Sequence, residues 1–169
     1  MSASHIVFVE NLLVKPTAVT ATVWVSREST KTDAAGEGFA ERMLKVMPDI
    51  ADHLCVGENV AFGDELAHTQ TAHLFEHIVL ELLAYVEHKQ RSVAGHTSWD
   101  HTNADVLETG SDASSFLSYR VTVKVPDDFV GVGAFTIAQT VLDWAWSGEG
   151  EMPDAHALVD HLLTKRAQY

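Results

Sequence analysis

The chain has 169 residues, a formal net charge of −13 and a hydrophobic content of 46%. This length and apolar content fit one globular domain with a sizeable core, and they exclude a disordered chain. The negative charge argues against nucleic acid as a partner, because phosphate binding needs a basic face, and it favours a cationic ligand instead. No apolar run approaches the ~20 residues of a membrane span, so we expect no membrane partner.

The first residues and the cysteine content bear on the compartment. Residues 1–5 lack the basic segment followed by an apolar one that marks a signal peptide. Cys55 is the single cysteine, which excludes an internal disulfide and a multi-cysteine zinc finger. We therefore expect a cytoplasmic protein. The sequence leaves a homo-oligomer open.

The first third of the chain predicts two strands followed by helical segments. Residues 5–14 form an apolar run, and residues 19–25 alternate polar and apolar side chains with period two, which is typical of strands. The polar residues 27–38 predict a loop. Residues 39–46 predict a short helix, and residues 50–54 another helical turn.

The rest of the chain predicts a central helix, a long loop, a third strand and two more helices. The helix covers residues 71–88, and its apolar residues occupy nearly its whole circumference, so we expect it to be buried. A polar loop follows over residues 91–115, then a strand over 116–125 and helices over 130–146 and 154–165. No repeat or linker interrupts this order. We predict a single α+β domain formed by all 169 residues, with an antiparallel sheet packed against helices.

The most specific pattern lies on the central helix, where His73, Glu76 and His77 spell His-x-x-Glu-His. Two histidines four residues apart lie on the same face of a helix. Two imidazoles with a carboxylate between them provide zinc ligands and a general base, and the same spelling marks one class of zinc peptidases. In this interpretation His73 and His77 bind zinc, and Glu76 takes a proton from the water that attacks a peptide carbonyl.

A catalytic zinc needs a third protein ligand, which this pattern does not supply. Glu81 is the preferred candidate because it follows His77 by four residues, although it lies ~12 Å along the helix axis from His73. The alternative is that Glu81 orients a ligand histidine. His53 is the next candidate, as a ligand or a substrate contact. Two more histidines from elsewhere in the chain stay open, namely His96 and His101.

Each candidate also has a non-functional interpretation. In this interpretation His73 and His77 are ordinary helix residues that form hydrogen bonds with their neighbours, and Glu76 is solvated. Cys55 could be a nucleophile or a ligand, but a lone cysteine is more often a small buried apolar residue. Trp99 and the acids of the long loop are candidates for contacts with guanidinium groups, although solvated loop acids are the commoner case. These acids are Asp100, Asp105, Glu108 and Asp112.

Several segments around the helix carry a resemblance to a known family. They are His53-Leu54-Cys55 followed by Gly57, then Ala61-Phe62-Gly63, the helix from Thr71 to Leu82, Ser118-Tyr119-Arg120-Val121-Thr122-Val123-Lys124-Val125, Gly131 and Ala134. They resemble the N-terminal domain of cyanophycin synthetases, which has a His-x-Cys element, a Gly-rich bend and a His-x-x-Glu-His-x-x-x-Glu-Leu helix. The similarity covers roughly residues 40–145.

The resemblance implies one of two roles. In some members the domain is a metal-dependent hydrolase that trims an Asp/Arg polymer into primers, and in others it keeps only polymer binding or architecture. The synthetase domains of that family are absent from this sequence, so we expect a stand-alone homologue. We predict a zinc-dependent peptidase or amidase acting on peptide-like substrates that include Asp/Arg polymers. The alternatives are a non-catalytic peptide- or polymer-binding module and a purely structural subunit.

Overall fold

The computed structural model describes residues 5–55, 60–87, 94–100, 113–125 and 127–169. Four strands and five α-helices lie within these ranges. In chain order they are β1 Val7–Lys15, β2 Ala18–Ser26, α1 Phe39–Val46, α2 Phe62–Glu65, α3 Thr71–Glu87, β3 Gly95–Asp100, β4 Phe116–Lys124, α4 Asp128–Ser147 and α5 Ala155–Arg166. Short 3-10 helices connect several of them.

The four strands form one antiparallel sheet in the order β1-β2-β4-β3, so β1 and β3 are its edges. The two central strands bury one face by strict alternation. Val19 and Ala21 of β2 stand opposite Val123 and Val121 of β4, and all four are fully buried. Because side chains alternate along a strand, this face contributes a continuous apolar layer to the core.

The core lies between this layer and the helices, with α3 at its centre. α3 contacts α4, α5 and three of the strands. The expected burial of this helix is confirmed for Phe75, Ile78, Val79 and Leu82, which are fully buried, whereas Val86 near its end is only partly buried. The predicted α+β class, an antiparallel sheet packed against helices, is also confirmed. Within the described ranges no helix has the length and hydropathy needed to cross a membrane.

Two elements differ from the sequence prediction. Residues 95–100 were expected to be part of a loop, yet they form strand β3. Their sequence, Gly-His-Thr-Ser-Trp-Asp, lacks apolar alternation because β3 is an edge strand and its inner face meets a glutamate of α3 instead of the core. The four-residue helix α2 was not predicted either. The predicted last residue of the central helix, His88, lies outside the described residues.

Candidate metal centre

Three potential metal ligands meet beside the N-terminal half of α3. The Sγ atom of Cys55 lies 3.7 Å from Nε2 of His73 and 3.7 Å from Nε2 of His77. The two Nε2 atoms are 3.1 Å apart. Among the described residues, these three form a group compact enough to hold one metal ion.

The spacing of the three atoms fits tetrahedral zinc. Zinc bonds of ~2.0–2.1 Å to nitrogen and ~2.3 Å to sulfur place two nitrogen ligands roughly 3.3 Å apart and nitrogen and sulfur roughly 3.6 Å apart. The observed separations of 3.1 and 3.7 Å are close to these values. Thiolate and imidazole are also donors that zinc prefers, and three protein ligands leave a fourth position open for water or substrate.

A chain of hydrogen bonds fixes the ring of His77 from behind. Its Nδ1 lies 2.9 Å from Nδ1 of His53, and Nε2 of His53 lies 2.5 Å from Oε2 of Glu81. An ionised carboxylate only accepts, so Nε2 of His53 carries a proton and its Nδ1 accepts from His77. This tautomer leaves the lone pair on Nε2 of His77 facing Cys55 and His73, as a metal ligand requires.

Packing holds both histidine rings in place. Phe62 of α2 stacks on the ring of His77 with centroids 3.8 Å apart and meets the ring of His73 edge-on at 5.5 Å. The Oγ1 of Thr69 lies 3.3 Å from Nδ1 of His73. Burial, together with the electrostatic influence of nearby His73 and His53, lowers the pKa of His77 to about 3. His77 is therefore neutral at pH 7, which is the form that binds metals.

The loop that carries Cys55 is tied to the start of α2. The backbone N–H of Phe62 donates to the carbonyl of His53 over 2.8 Å, and Leu54 forms an isolated β-bridge with Ala61. These bonds fix the His53-Leu54-Cys55 segment against α3. Residues 53 and 55 of an extended segment point the same way, so both side chains reach His77.

Glu76 stands beside the cluster and against β3. Its side chain is only 6% exposed, and the hydroxyl of Thr97 donates a hydrogen bond to its carboxylate. Burial raises the pKa of Glu76, while the Thr97 bond and the charges of His73 and His96 act in the opposite direction. A buried carboxyl with a raised pKa is suited to taking and returning a proton near neutral pH.

The cluster and Glu76 share one cavity of about 610 Å³. Its walls come from α3, from the Cys55 loop, from the segment before α3 and from the start of β3. They are formed by Leu54, Cys55, Glu65, Gln70, His73, Glu76, His77, Leu80, Ala94, Gly95, His96 and Thr97. Ligand atoms, a candidate general base and space for a substrate are thus found in the same place.

The structure brings His73, Glu76 and His77 together and places Glu81 further away. Glu81 contacts His53 and reaches the cluster only through that ring, so the geometry favours Cys55 as the third donor. The preference for Glu81 or His53 as a ligand stays a prediction. His96 lies on the cavity wall outside the cluster. His101 and the loop acids Asp105, Glu108 and Asp112 lie outside the described residues.

The sequence left Cys55 open as a nucleophile, a ligand or a packing residue, and in the structure its side chain packs against the edge of the core. The thiol is partly exposed and lines the cavity. The available signal was its place two residues after His53, in a segment without periodic apolar residues. Thr97 was missed, because no local pattern connects a threonine in a polar stretch with a glutamate 21 residues earlier.

The fold and site together define an α+β domain with a Cys/His/His cluster and a buried glutamate in one cavity. A family model described as the cyanophycin synthase-like N-terminal domain matches residues 22–141. The chain therefore belongs to this family. The matched range runs from β2 into α4 and contains every residue of the cluster. A search of curated proteins finds no match for the chain.

Proposed function

We propose that this protein is a zinc-dependent hydrolase of amide bonds in peptide-like substrates. Cys55, His73 and His77 would hold the ion, and Glu76 would act as general base and then as general acid. The observation that supports this most directly is the spacing of the three donor atoms at the separations of tetrahedral zinc, inside the cavity that also contains Glu76.

Bound zinc would polarise the substrate carbonyl and acidify the attacking water. The protein supplies the proton transfers. Glu76 accepts one proton from the water as its oxygen bonds to the carbonyl carbon, and returns it to the amide nitrogen as the C–N bond breaks. The products are a carboxylic acid and an amine. Thr97 orients the Glu76 carboxylate, and burial keeps its pKa above the usual range.

The charge of the protein and its family membership support a cationic, peptide-like substrate. The net charge of −13 attracts arginine-containing chains, and Glu65 adds a carboxylate to the cavity wall. The resemblance to cyanophycin synthetase N-terminal domains points to Asp/Arg polymers as the first substrates to test.

A non-catalytic binding module is the second candidate function, and one observation favours it. Both oxygens of Glu76 are next to β3, since Oε2 accepts from Thr97 and Oε1 faces Gly95. Among the described contacts no hydrogen bond links this carboxylate to the cluster. A domain that kept the cavity for polymer binding alone would have no need for Glu76 to turn towards the metal.

The test combines metal content and hydrolysis on untagged protein. Elemental mass spectrometry should find about one zinc per chain in the wild type and in Glu76→Gln, and none in His73→Ala/His77→Ala. Glu76→Gln should lower hydrolysis of an Asp/Arg polymer or of arginine-containing peptides by about 10²–10⁴-fold. The matched control is Glu41→Gln at an exposed position on α1, which should leave metal and hydrolysis unchanged.

Three outcomes decide between the proposals. A wild type that neither contains zinc nor takes it up at neutral pH would reduce the cluster to helix packing and overturn the hydrolase. Bound zinc and tight polymer binding without any hydrolysis would establish the binding module. Normal turnover by Glu76→Gln would leave the metal centre in place and remove Glu76 from the mechanism.

A further inference from the structure

β3 presents backbone hydrogen-bonding groups away from the sheet. The N–H of Lys124 donates to the carbonyl of Ala94 over 2.9 Å, so residue 94 bonds to β4. In an antiparallel pair such bonding residues alternate with residues whose N–H and C=O point the other way. By the observed register, Gly95 and Thr97 direct both backbone groups to the outer edge. Within the described part of the chain no strand lies beyond β3.

This edge borders the candidate metal centre. Ala94, Gly95, His96 and Thr97 form one wall of the cavity, and the face of α3 that carries the two histidines and Glu76 forms another. A strand added to β3 would lie ~4.8 Å beyond it. It would therefore cover the cavity and bring its own backbone carbonyls towards the cluster.

Gly95 shows how closely β3 approaches the proton-transfer group. A Cβ atom at this position would lie 2.8 Å from Oε1 of Glu76 and 3.2 Å from a methyl of Leu80. Glycine thus lets the edge of the strand and the carboxylate stand side by side. A peptide bond that pairs with β3 here is next to the group proposed to protonate its nitrogen.

We propose that the substrate binds as an extended peptide that adds a strand to the edge of β3 and pairs with the backbone of Gly95 and Thr97. Main-chain pairing of this kind gives affinity that depends little on side-chain identity, and alternate side chains supply selectivity. The inference rests on the proposed hydrolase, and it adds the conformation of the substrate and the surface that recognises it.

The test uses peptide hydroxamates on zinc-loaded wild-type protein, because a hydroxamate chelates zinc and the attached peptide probes the edge. The series contains acetohydroxamic acid, an arginine-containing tetrapeptide hydroxamate, and versions of the tetrapeptide with a single backbone amide N-methylated at each successive position. Dissociation constants are measured by calorimetry. N-methylation at alternate positions should weaken binding about tenfold, and at the intervening positions by less than about threefold.

The outcomes separate this inference from the proposed function. Failure of acetohydroxamic acid and of every peptide to bind would overturn the metal centre and the edge together. Binding of acetohydroxamic acid with no gain from the peptide, or equal losses at all N-methylated positions, would overturn the edge alone. Losses of peptide affinity that alternate between large and small along the N-methylated positions would support pairing with β3.

A second measurement tests the protein side of the pairing. Thr97→Pro removes one outward N–H at an edge where proline is tolerated, and Thr97→Val removes the hydroxyl but keeps the N–H. Both variants lose the hydrogen bond to Glu76, so the difference between their peptide affinities reports the backbone N–H of residue 97. The tetrapeptide should bind Thr97→Pro about tenfold more weakly than Thr97→Val, while acetohydroxamic acid binds both equally. Equal peptide affinities would contradict the pairing at Thr97.

Discussion

The two long helices of the core, α3 and α4, differ in what they bury. Both are strongly apolar and both contact the sheet. On α4 two partly buried polar side chains form hydrogen bonds with the backbone at the start of β1. The Gln139 amide donates to the Val7 carbonyl, and the Asp143 carboxylate accepts from the Ile6 N–H. On α3, by contrast, Glu76, His77 and Glu81 are each at most 6% exposed.

This difference distinguishes the residues that the fold needs from those that a functional site needs. A buried ionisable group costs stability unless it is neutral or paired, and an apolar residue of similar size often does better. α4 shows that this fold builds a long central helix without buried charges. Glu76 and His77 line one cavity, and Glu81 is linked to His77 through His53, so we attribute the three groups to a site and not to the fold.

The largest expected effect comes from the third donor. Cys55→Ser should weaken zinc binding by at least about a hundredfold, because serine is a much poorer ligand than thiolate. In the cobalt-substituted protein it should also abolish the sulfur-to-metal charge-transfer absorption. Competition with a chelator and absorption spectroscopy measure both. The spectrum is decisive, since an unchanged charge-transfer band would mean that Cys55 is not a ligand.

Removing the hydrogen-bond chain behind His77 should have a smaller effect. Glu81→Gln and His53→Ala are each expected to weaken zinc binding by about 10–100-fold without abolishing it, as partners of ligand histidines do. The charge-transfer band of the cobalt protein should persist in both. Asp143→Asn is the matched control on α4 and should leave metal affinity unchanged. Complete loss of metal in Glu81→Gln, with the metal retained in Cys55→Ser, would restore Glu81 as the third ligand.

Two glycine-to-alanine substitutions should show again that the surroundings of α3 affect catalysis and those of α4 affect stability. Gly95→Ala places a methyl 2.8 Å from Oε1 of Glu76, so it should lower kcat by about tenfold with stability nearly unchanged. Gly131→Ala on α4 places a methyl 2.8 Å from Val19 and Val125, stiff side chains of the core. It should lower the free energy of unfolding by about 1–3 kcal/mol and leave kcat unchanged. Steady-state kinetics and urea unfolding measure the pair, and the reverse pattern would contradict the comparison.

The last prediction concerns the pH dependence of the stability of the metal-free protein. Burial and the neighbouring His73 and His53 lower the pKa of His77 from 6.5 to about 3, so between these values the unfolded chain binds a proton that the folded chain does not. The contribution to stability is complete above about pH 6.5 and is lost as the pH falls towards about 3. Urea unfolding of chelator-treated protein should show this slope. His77→Asn should flatten it, and the exposed control His161→Asn should not.

The sequence predicted the elements whose burial is periodic. Residues 39–46 form α1 as expected, and β2 and β4 alternate as their patterns indicated. These elements each bury one face against the same core, so the local pattern reflects the tertiary contact. β3 was not predicted because its inner neighbour is Glu76, which gives its sequence no apolar period.

The candidate site also contains residues whose proximity the sequence predicts and residues whose proximity it does not. His73, Glu76 and His77 lie within two helical turns, so their proximity follows from helical geometry. The positions of Cys55 and His53 depend on the bridge to α2 and on the stacking of Phe62, which no periodicity encodes. Their contacts with the helix span 18 to 28 residues of sequence.

The sequence by itself determined the α+β class and the shared helical face of the histidines, because both follow from spacing within single elements. Only the tertiary structure decided which donor joins them, that Glu81 stands behind His53, and that Glu76 lies against the edge of β3. Those relations are distances between segments far apart in the chain. They are fixed by the packing of a loop, a short helix and an edge strand around α3.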